Sequence, residues 1–184
     1  RNGYWDGISM ATSTDGLHWN ELGEIIPMAD DAVWLGGCAS FWKIETMGPD
    51  GLPQEKYVTN FSEWRGPKRT IGQQTIFFAE SKDMLNWERL GNEYELKPDP
   101  RWYKVNDGVR SRWDGMAITE KPGGGYYGYL TACPNQLALP LAEDGSTLAF
   151  GMAQSSDGLH WKAIEPPVIE WGDKLEVKTT TEAP

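Results

Sequence analysis

Apolar and polar positions along the chain fall into short strand-like runs. Residues 57–61 (Tyr-Val-Thr-Asn-Phe), 75–79 (Thr-Ile-Phe-Phe-Ala), 126–130 (Tyr-Tyr-Gly-Tyr-Leu) and 148–153 (Leu-Ala-Phe-Gly-Met-Ala) are rich in β-branched or aromatic side chains. Gly, Pro or Asp bounds them, so each predicts a β-strand. One phrase recurs among these runs, Ala-x-Ser-x-Asp-x-Leu-x-Trp. Its copies begin at Ala11, Ala79 and Ala153 and end at Trp19, Trp87 and Trp161. The three Trp stand 68 and 74 residues apart, a period that suits one four-stranded propeller blade with generous loops. The strand-like runs then read as the middle strands of successive blades.

Within the phrase, Ser and Asp can bond nearby backbone, Gly16 and Gly158 permit a turn, and Trp is expected to pack the outer strand against its own blade. His18 and His160 occupy equivalent positions in two copies, which makes them part of the repeat rather than ligands or bases. The expected fold is all-β, with blade ends near 1–32, 33–100 and 101–166 and a further blade beginning at 167–184. By this period the chain carries roughly two and a half blades, whereas a closed ring takes about four to eight. Residues are therefore expected beyond both ends, and the 184-residue chain alone is expected to show little or no activity.

Composition agrees with a loop-rich β-protein: 10 Trp, 7 Tyr and 5 Phe stand beside 21 Gly and 12 Pro. A net charge of -10 argues against nucleic acid, whose binding draws on clustered Lys and Arg, and leaves a neutral partner such as a sugar compatible. No apolar run is long enough to predict a membrane span. Cys38 and Cys133 lack metal or redox spacing and read as two buried thiols.

Three landmarks resemble glycoside hydrolase families 32 and 43, which share a five-bladed propeller. Residues 30–40, with Asp31 and Gly36-Gly37-Cys38-Ala39-Ser40, resemble the family 32 stretch that opens the second blade, with Phe41 where that pattern has glycine. Gln74 falls near the family's glutamine ahead of the second outer phrase. Arg112-Trp113-Asp114-Gly115 resembles the third-blade Arg-Asp-Pro, with a Trp inserted and Gly in place of Pro. Residues 179–184, Thr-Thr-Thr-Glu-Ala-Pro, resemble the opening of the fourth blade, where both families carry a general acid.

The resemblance implies Glu182 as the acid and Asp114 as the carboxylate that binds sugar hydroxyls and steadies the transition state. The nucleophile or base would precede Arg1. Two carboxyl groups across the scissile bond are what glycosidic cleavage generally requires. Gln74 and Ser40 complete the implied sugar contacts. Trp34, Trp64 and Trp113 stand beside the landmarks or a turn and are candidate stacking surfaces. Asp6, ahead of Gly7, reads as a turn residue.

The resemblance implies a secreted or periplasmic bacterial hydrolase of a plant or microbial oligosaccharide or polysaccharide, fructan- or arabinan-like. No cofactor is expected, although the channel of such a ring leaves room for a structural calcium. Two alternatives stay open: a non-catalytic sugar-binding propeller, and a glycoside phosphorylase of related fold. The second would need phosphate-binding cations, for which Arg65, Lys68 and Arg69 form the one dense cluster.

Overall fold

The structure, a computed structural model, describes residues 6–65, 74–105, 112–135 and 149–167, omitting the side chains of 37–39 and 149. Over these residues it is all-β, with three antiparallel sheets. Strands β1 (Gly7–Thr12) and β2 (Asn20–Pro27) form a hairpin. The second sheet holds β3 (Ala32–Met47), β4 (Pro53–Arg65), β5 (Gln74–Ser81) and β6 (Trp87–Arg89). The third holds β7 (Trp113–Glu120), β8 (Tyr126–Ala132), β9 (Ala149–Ser155) and β10 (Lys162–Ile164). Spatial order equals chain order in both four-stranded sheets, so each is an up-and-down meander. The strand-like runs of the sequence fall in β4, β5, β8 and β9, the two middle strands of each sheet.

Each copy of the repeated phrase forms the turn between the last two strands of its sheet, and its polar residues bond there. In the third copy, Ser155 Oγ donates to Asp157 Oδ1 at 2.9 Å and accepts from the Gly158 amide at 2.8 Å. Asp157 Oδ1 accepts the Leu159 and His160 amides at 2.9 and 2.8 Å. Asp15 and Asp83 accept the equivalent amides. Oδ2 of each Asp bonds the side chain three residues on: His18 and His160 at 2.7 Å, and Asn86 at the same distance in the second copy. The histidines are thus turn locks, interchangeable in this role with an asparagine. A left-handed residue follows each Asp, with φ of 75° at Gly16, 61° at Met84 and 78° at Gly158. Only Met84 carries a Cβ there.

The middle sheet is covered on both faces, which is why residues 58–63 of β4 are buried without a break. Val58, Ile76 and Phe78 face the third sheet, packing with Met116, Leu130 and Ala153. Phe61, Phe77 and Ala79 face the other way, with Ile26 of β2 and Leu35. Strand β7 lies against β3, β4 and β5, and its position is held by the buried Asn60 side chain. Asn60 Nδ2 donates to Met116 O at 2.8 Å, and Met116 N donates to Asn60 Oδ1 at 2.9 Å.

The repeat Trp does not pack only within its own sheet, contrary to the sequence expectation. Trp161, at the end of the third sheet's turn, reaches the middle sheet. It stacks on Phe78 at 6.5 Å and meets Trp42 edge-on at 5.8 Å, while Trp42 Nε1 donates to Gly158 O at 3.0 Å. A large apolar ring on a sheet's outer edge removes more surface from water against a neighbour than against its own strands. On the opposite face, fully buried Glu63 takes Nη2 of Arg89 at 2.7 Å, Nη2 of Arg65 at 2.9 Å and the Ala29 amide at 3.1 Å. Arg89 also donates to Pro27 O at 2.8 Å, so this network fastens the end of β2 to the middle sheet. Cys133 is buried and its sulfur accepts the Arg112 amide at 3.4 Å, whereas the Cys38 side chain lies outside the described residues.

Two equivalent glycines separate conformational strain from packing. A Cβ at Gly16 meets nothing within 4 Å, but at Gly158 it would stand 2.6 Å from Ile44 Cγ2 and 3.0 Å from Trp42 Nε1. Gly16→Ala is expected to cost about 1 kcal/mol from its left-handed backbone. Gly158→Ala should cost about 3 kcal/mol, because overpacking adds to the same strain. Urea unfolding of both variants measures the difference.

The turn aspartates also set an acid limit. Backbone N–H donors at His18 and Asn86 hold Asp15 and Asp83 well below the usual carboxylate range. At Asp157 partial burial pushes upward, but the His160 ring and the turn amides outweigh it and the net shift is again downward. A lowered folded pKa contributes stability above the unfolded value, here 3.8, and loses it as pH falls further. The urea midpoint is expected to hold between about pH 7 and pH 5 and to fall below about pH 4. Asp157→Asn should flatten that fall.

Candidate functional site

At the end of the middle sheet where β3 begins and β4 ends, cross-strand register sets three side chains in a row. Trp34 pairs with Trp64, and Trp64 pairs with Gln74. Period-2 alternation puts Gly36 and Ser62 one step further along the same face, the face against which β7 lies. The Trp34 and Trp64 rings are 5.1 Å apart at 37°. Gly36 makes this arrangement possible, since a Cβ there would lie 2.5 Å from Ser62 Oγ and 2.8 Å from Trp34 Cη2.

Asp114 arrives from β7 opposite Ser62. A register shift between Asp114 and Met116, with Gly115 at φ 44°, forms a local irregularity that re-aims the side chain. A continuous polar chain results. Gln74 Nε2 donates to Ser62 Oγ at 3.0 Å, Ser62 Oγ donates to Asp114 Oδ1, and Arg112 Nη2 donates to Asp114 Oδ2 at 2.6 Å. Gln74 is 2% exposed and Ser62 fully buried, while the Asp114 and Arg112 side chains keep 15% and 36% of their surface open. The carboxylate thus sits at the accessible end of a buried relay.

Three buried polar atoms among the described residues lack a hydrogen-bond partner: Trp64 Nε1, Gln74 Oε1 and Arg112 Nε. All three belong to this cluster. Leaving such a group unpaired costs about 1–3 kcal/mol, and all three can still make a hydrogen bond with a group that enters the cluster. Two donors and one acceptor beside a fixed carboxylate and a pair of indoles suit the hydroxyl groups and apolar faces of a sugar.

The structure brings together four of the residues singled out in the sequence, namely Asp114, Gln74, Trp34 and Trp64. Ser40 lies on β3 with its hydroxyl donating to Met116 O at 2.8 Å, a contact between sheets. Trp113 is a core residue, 2% exposed, with Nε1 donating to Leu96 O at 3.0 Å and its ring 4.8 Å from Tyr103. Alternation along β7 turns it away from Asp114, so it offers no stacking surface. Glu182, Lys68 and Arg69 lie outside the described residues. Arg65, the third cation of that cluster, is committed to Glu63 and donates to Asn92 Oδ1 at 2.7 Å.

Two members, Ser62 and Arg112, were not among the site residues that the sequence implied. Ser62 is found only by pairing alternation with register, which places it between Trp64 and the β7 strand. Arg112 stands two residues before Asp114 and so shares its side of an extended strand. A separate open cleft of about 670 Å³ lies at the opposite end of the middle sheet, between the β3–β4 and β5–β6 turns, lined by Met47, Lys56, Glu80 and Asn86. Its polar groups are largely paired, as in the 2.7 Å Lys56–Glu80 bridge, and the chemistry described above is not there.

No protein-family model matches the sequence, and no curated protein is similar to it at a significant level.

Gly36→Ala tests the geometry of the cluster. The added methyl would overlap both the Ser62 hydroxyl and the Trp34 ring, so the ring must shift and the exciton signal of the Trp34–Trp64 pair in near-ultraviolet circular dichroism should weaken to the level of Trp34→Phe, with the strand signal retained. An unchanged pair signal contradicts the arrangement.

Proposed function

We propose that the chain belongs to a five-bladed β-propeller glycoside hydrolase, secreted or periplasmic, that cleaves a plant or microbial oligosaccharide or polysaccharide of fructan or arabinan type. The observation that carries this reading is the Gln74–Ser62–Asp114–Arg112 relay beside the Trp34–Trp64 pair, with three unpaired polar atoms on residues of the same cluster. Two four-stranded meanders that pack face to face, preceded by a two-stranded hairpin, support the propeller architecture.

In this reading Asp114 binds sugar hydroxyls and stabilises positive charge developing on the ring, and Ser62 and Arg112 hold its two oxygens in place. Glu182 supplies the proton to the leaving oxygen, as cleavage by paired carboxyl groups requires. Trp34 and Trp64 stack on the apolar sugar face, and Gln74 Oε1 and Trp64 Nε1 select hydroxyl orientation. Commitment of Arg65 to Glu63 weighs against the phosphorylase alternative.

Hydrolysis of aryl glycosides and of arabinan- and fructan-derived oligosaccharides by the complete five-bladed protein that the reading implies, rather than by the 184-residue chain alone, tests the reading. Asp114→Asn is expected to lower kcat/KM by about 10²–10³-fold, the size of a lost transition-state contact. Glu182→Gln should lower it by about 10²–10⁴-fold, with the largest loss on substrates with poor leaving groups. Hydrolysis untouched by either change overturns the assignment of residues. Sugar binding without any hydrolysis replaces the enzyme with a binding propeller.

A further inference from the structure

The Gln74–Ser62–Asp114 chain has a direction, which follows from counting its protons. Ser62 Oγ carries one proton and touches two polar side chains, the Asp114 carboxylate and the Gln74 amide. An ionised carboxylate can only accept, so the contact with Asp114 Oδ1 uses that proton. The part of Gln74 that meets Ser62 must then be a donor, Nε2, at 3.0 Å. The reverse amide orientation would aim Oε1 at an oxygen with no proton left to give. It would also leave an N–H as the unpaired atom in place of a carbonyl oxygen, the rarer and costlier case.

Burial makes the direction matter. Ser62 is fully buried and Gln74 is 2% exposed, so solvent does not stand in for either partner. The two are diagonal neighbours on one face, since Trp64 pairs with Gln74 while Ser62 pairs with Ile76. Among the described residues, the charged groups beside them on that face are Asp114 and Arg112 of β7. Arg65 and Arg89 gather at Glu63 on the opposite face, and Glu95 accepts from Thr75.

We propose that Gln74 is a positioning residue for Asp114 that acts through Ser62. As a donor it occupies the serine lone pair and commits the single hydroxyl proton to Asp114 Oδ1, while Arg112 Nη2 holds Oδ2 at 2.6 Å. An acceptor at position 74 would compete for that proton and strip the carboxylate of one of its two donors. The effect on turnover rests on the hydrolase reading above; the direction of the relay does not.

The carboxyl ¹³C resonance of Asp114, assigned by its loss in Asp114→Asn, reads the direction from about pH 5.5 upward, where ordinary carboxylates are ionised. Ser62→Ala should displace it, because the donor is gone. Gln74→Met, which neither gives nor takes a hydrogen bond, should leave it near the wild-type position. In Gln74→Glu it should follow wild type while the new carboxyl is protonated and reach the Ser62→Ala position once that carboxyl ionises, which burial defers to higher pH. The Ser62→Ala, Gln74→Glu double variant should lack this step, since the hydroxyl transmits it. Urea midpoints check that each variant is folded. A relay running the other way gives the reverse pattern, with Gln74→Met moving the resonance and Ser62→Ala leaving it in place, and overturns the proposal. So does a step that persists undiminished in the double variant. In the complete protein, kcat/KM of Gln74→Glu should fall about 10–100-fold across the same step, the worth of one hydrogen bond to a charged group. Turnover indifferent to a step that the resonance shows overturns the positioning role. A relay with the expected direction in a complete protein that cleaves no sugar overturns the hydrolase reading instead.

Discussion

A single buried amide determines how the two four-stranded sheets meet. Asn60, fully buried in the middle of β4, uses both ends of its side chain on the backbone of Met116, donating to the carbonyl and accepting from the amide. A backbone amide or carbonyl left bare in this core would carry an uncompensated desolvation penalty, so the pairing defines the register of β7 against β4 as strictly as a ladder bond would. The Ser40 hydroxyl adds a second donor to the same carbonyl. With Met116 held opposite Asn60, Asp114 falls opposite Ser62, and the polar relay through Gln74 follows from that placement. The site is thus a consequence of sheet docking rather than of any local motif.

The repeat works at the other edge of the sheets. Its Ser and Asp satisfy the amides of a tight turn, its glycine or Met84 takes the left-handed step, and its Trp projects outward. Because Trp161 is received by the sheet before it, the turns act as couplers between sheets as well as ends of hairpins. Gly158 is pressed against Ile44 and Trp42 for the same reason, while Gly16, on the hairpin with no sheet ahead of it among the described residues, is in open space.

Much of the fold was legible. The phrase and its 68- and 74-residue spacings locate the last turn of each sheet, and the strand-like runs locate the middle strands, because both signals are local. The site was legible in part. Gln74, Asp114 and the pair Trp34 and Trp64 carry sequence signals, but Ser62 does not, since a serine inside a buried strand is unremarkable until its register is known. Trp113 was misread for a related reason: adjacency to Asp114 in sequence means opposite faces in a strand, and β7 has its core face at Trp113. The direction of Trp packing depends on which sheet lies beside which, and that is long-range information.

The central claim is that the unpaired polar atoms around Asp114 await a sugar. Indole N–H resonances of the ¹⁵N-labelled protein, followed during titration with an arabinan or fructan oligosaccharide, address it most directly. Trp64 Nε1 has no partner, whereas Trp42 and Trp113 already donate to Gly158 O and Leu96 O. The account predicts a saturable shift of the Trp64 indole signal, little change at Trp42 and Trp113, and loss of the shift in Asp114→Ala. A Trp64 signal that stays fixed while sugar binds elsewhere, or across the whole panel of sugars, contradicts it.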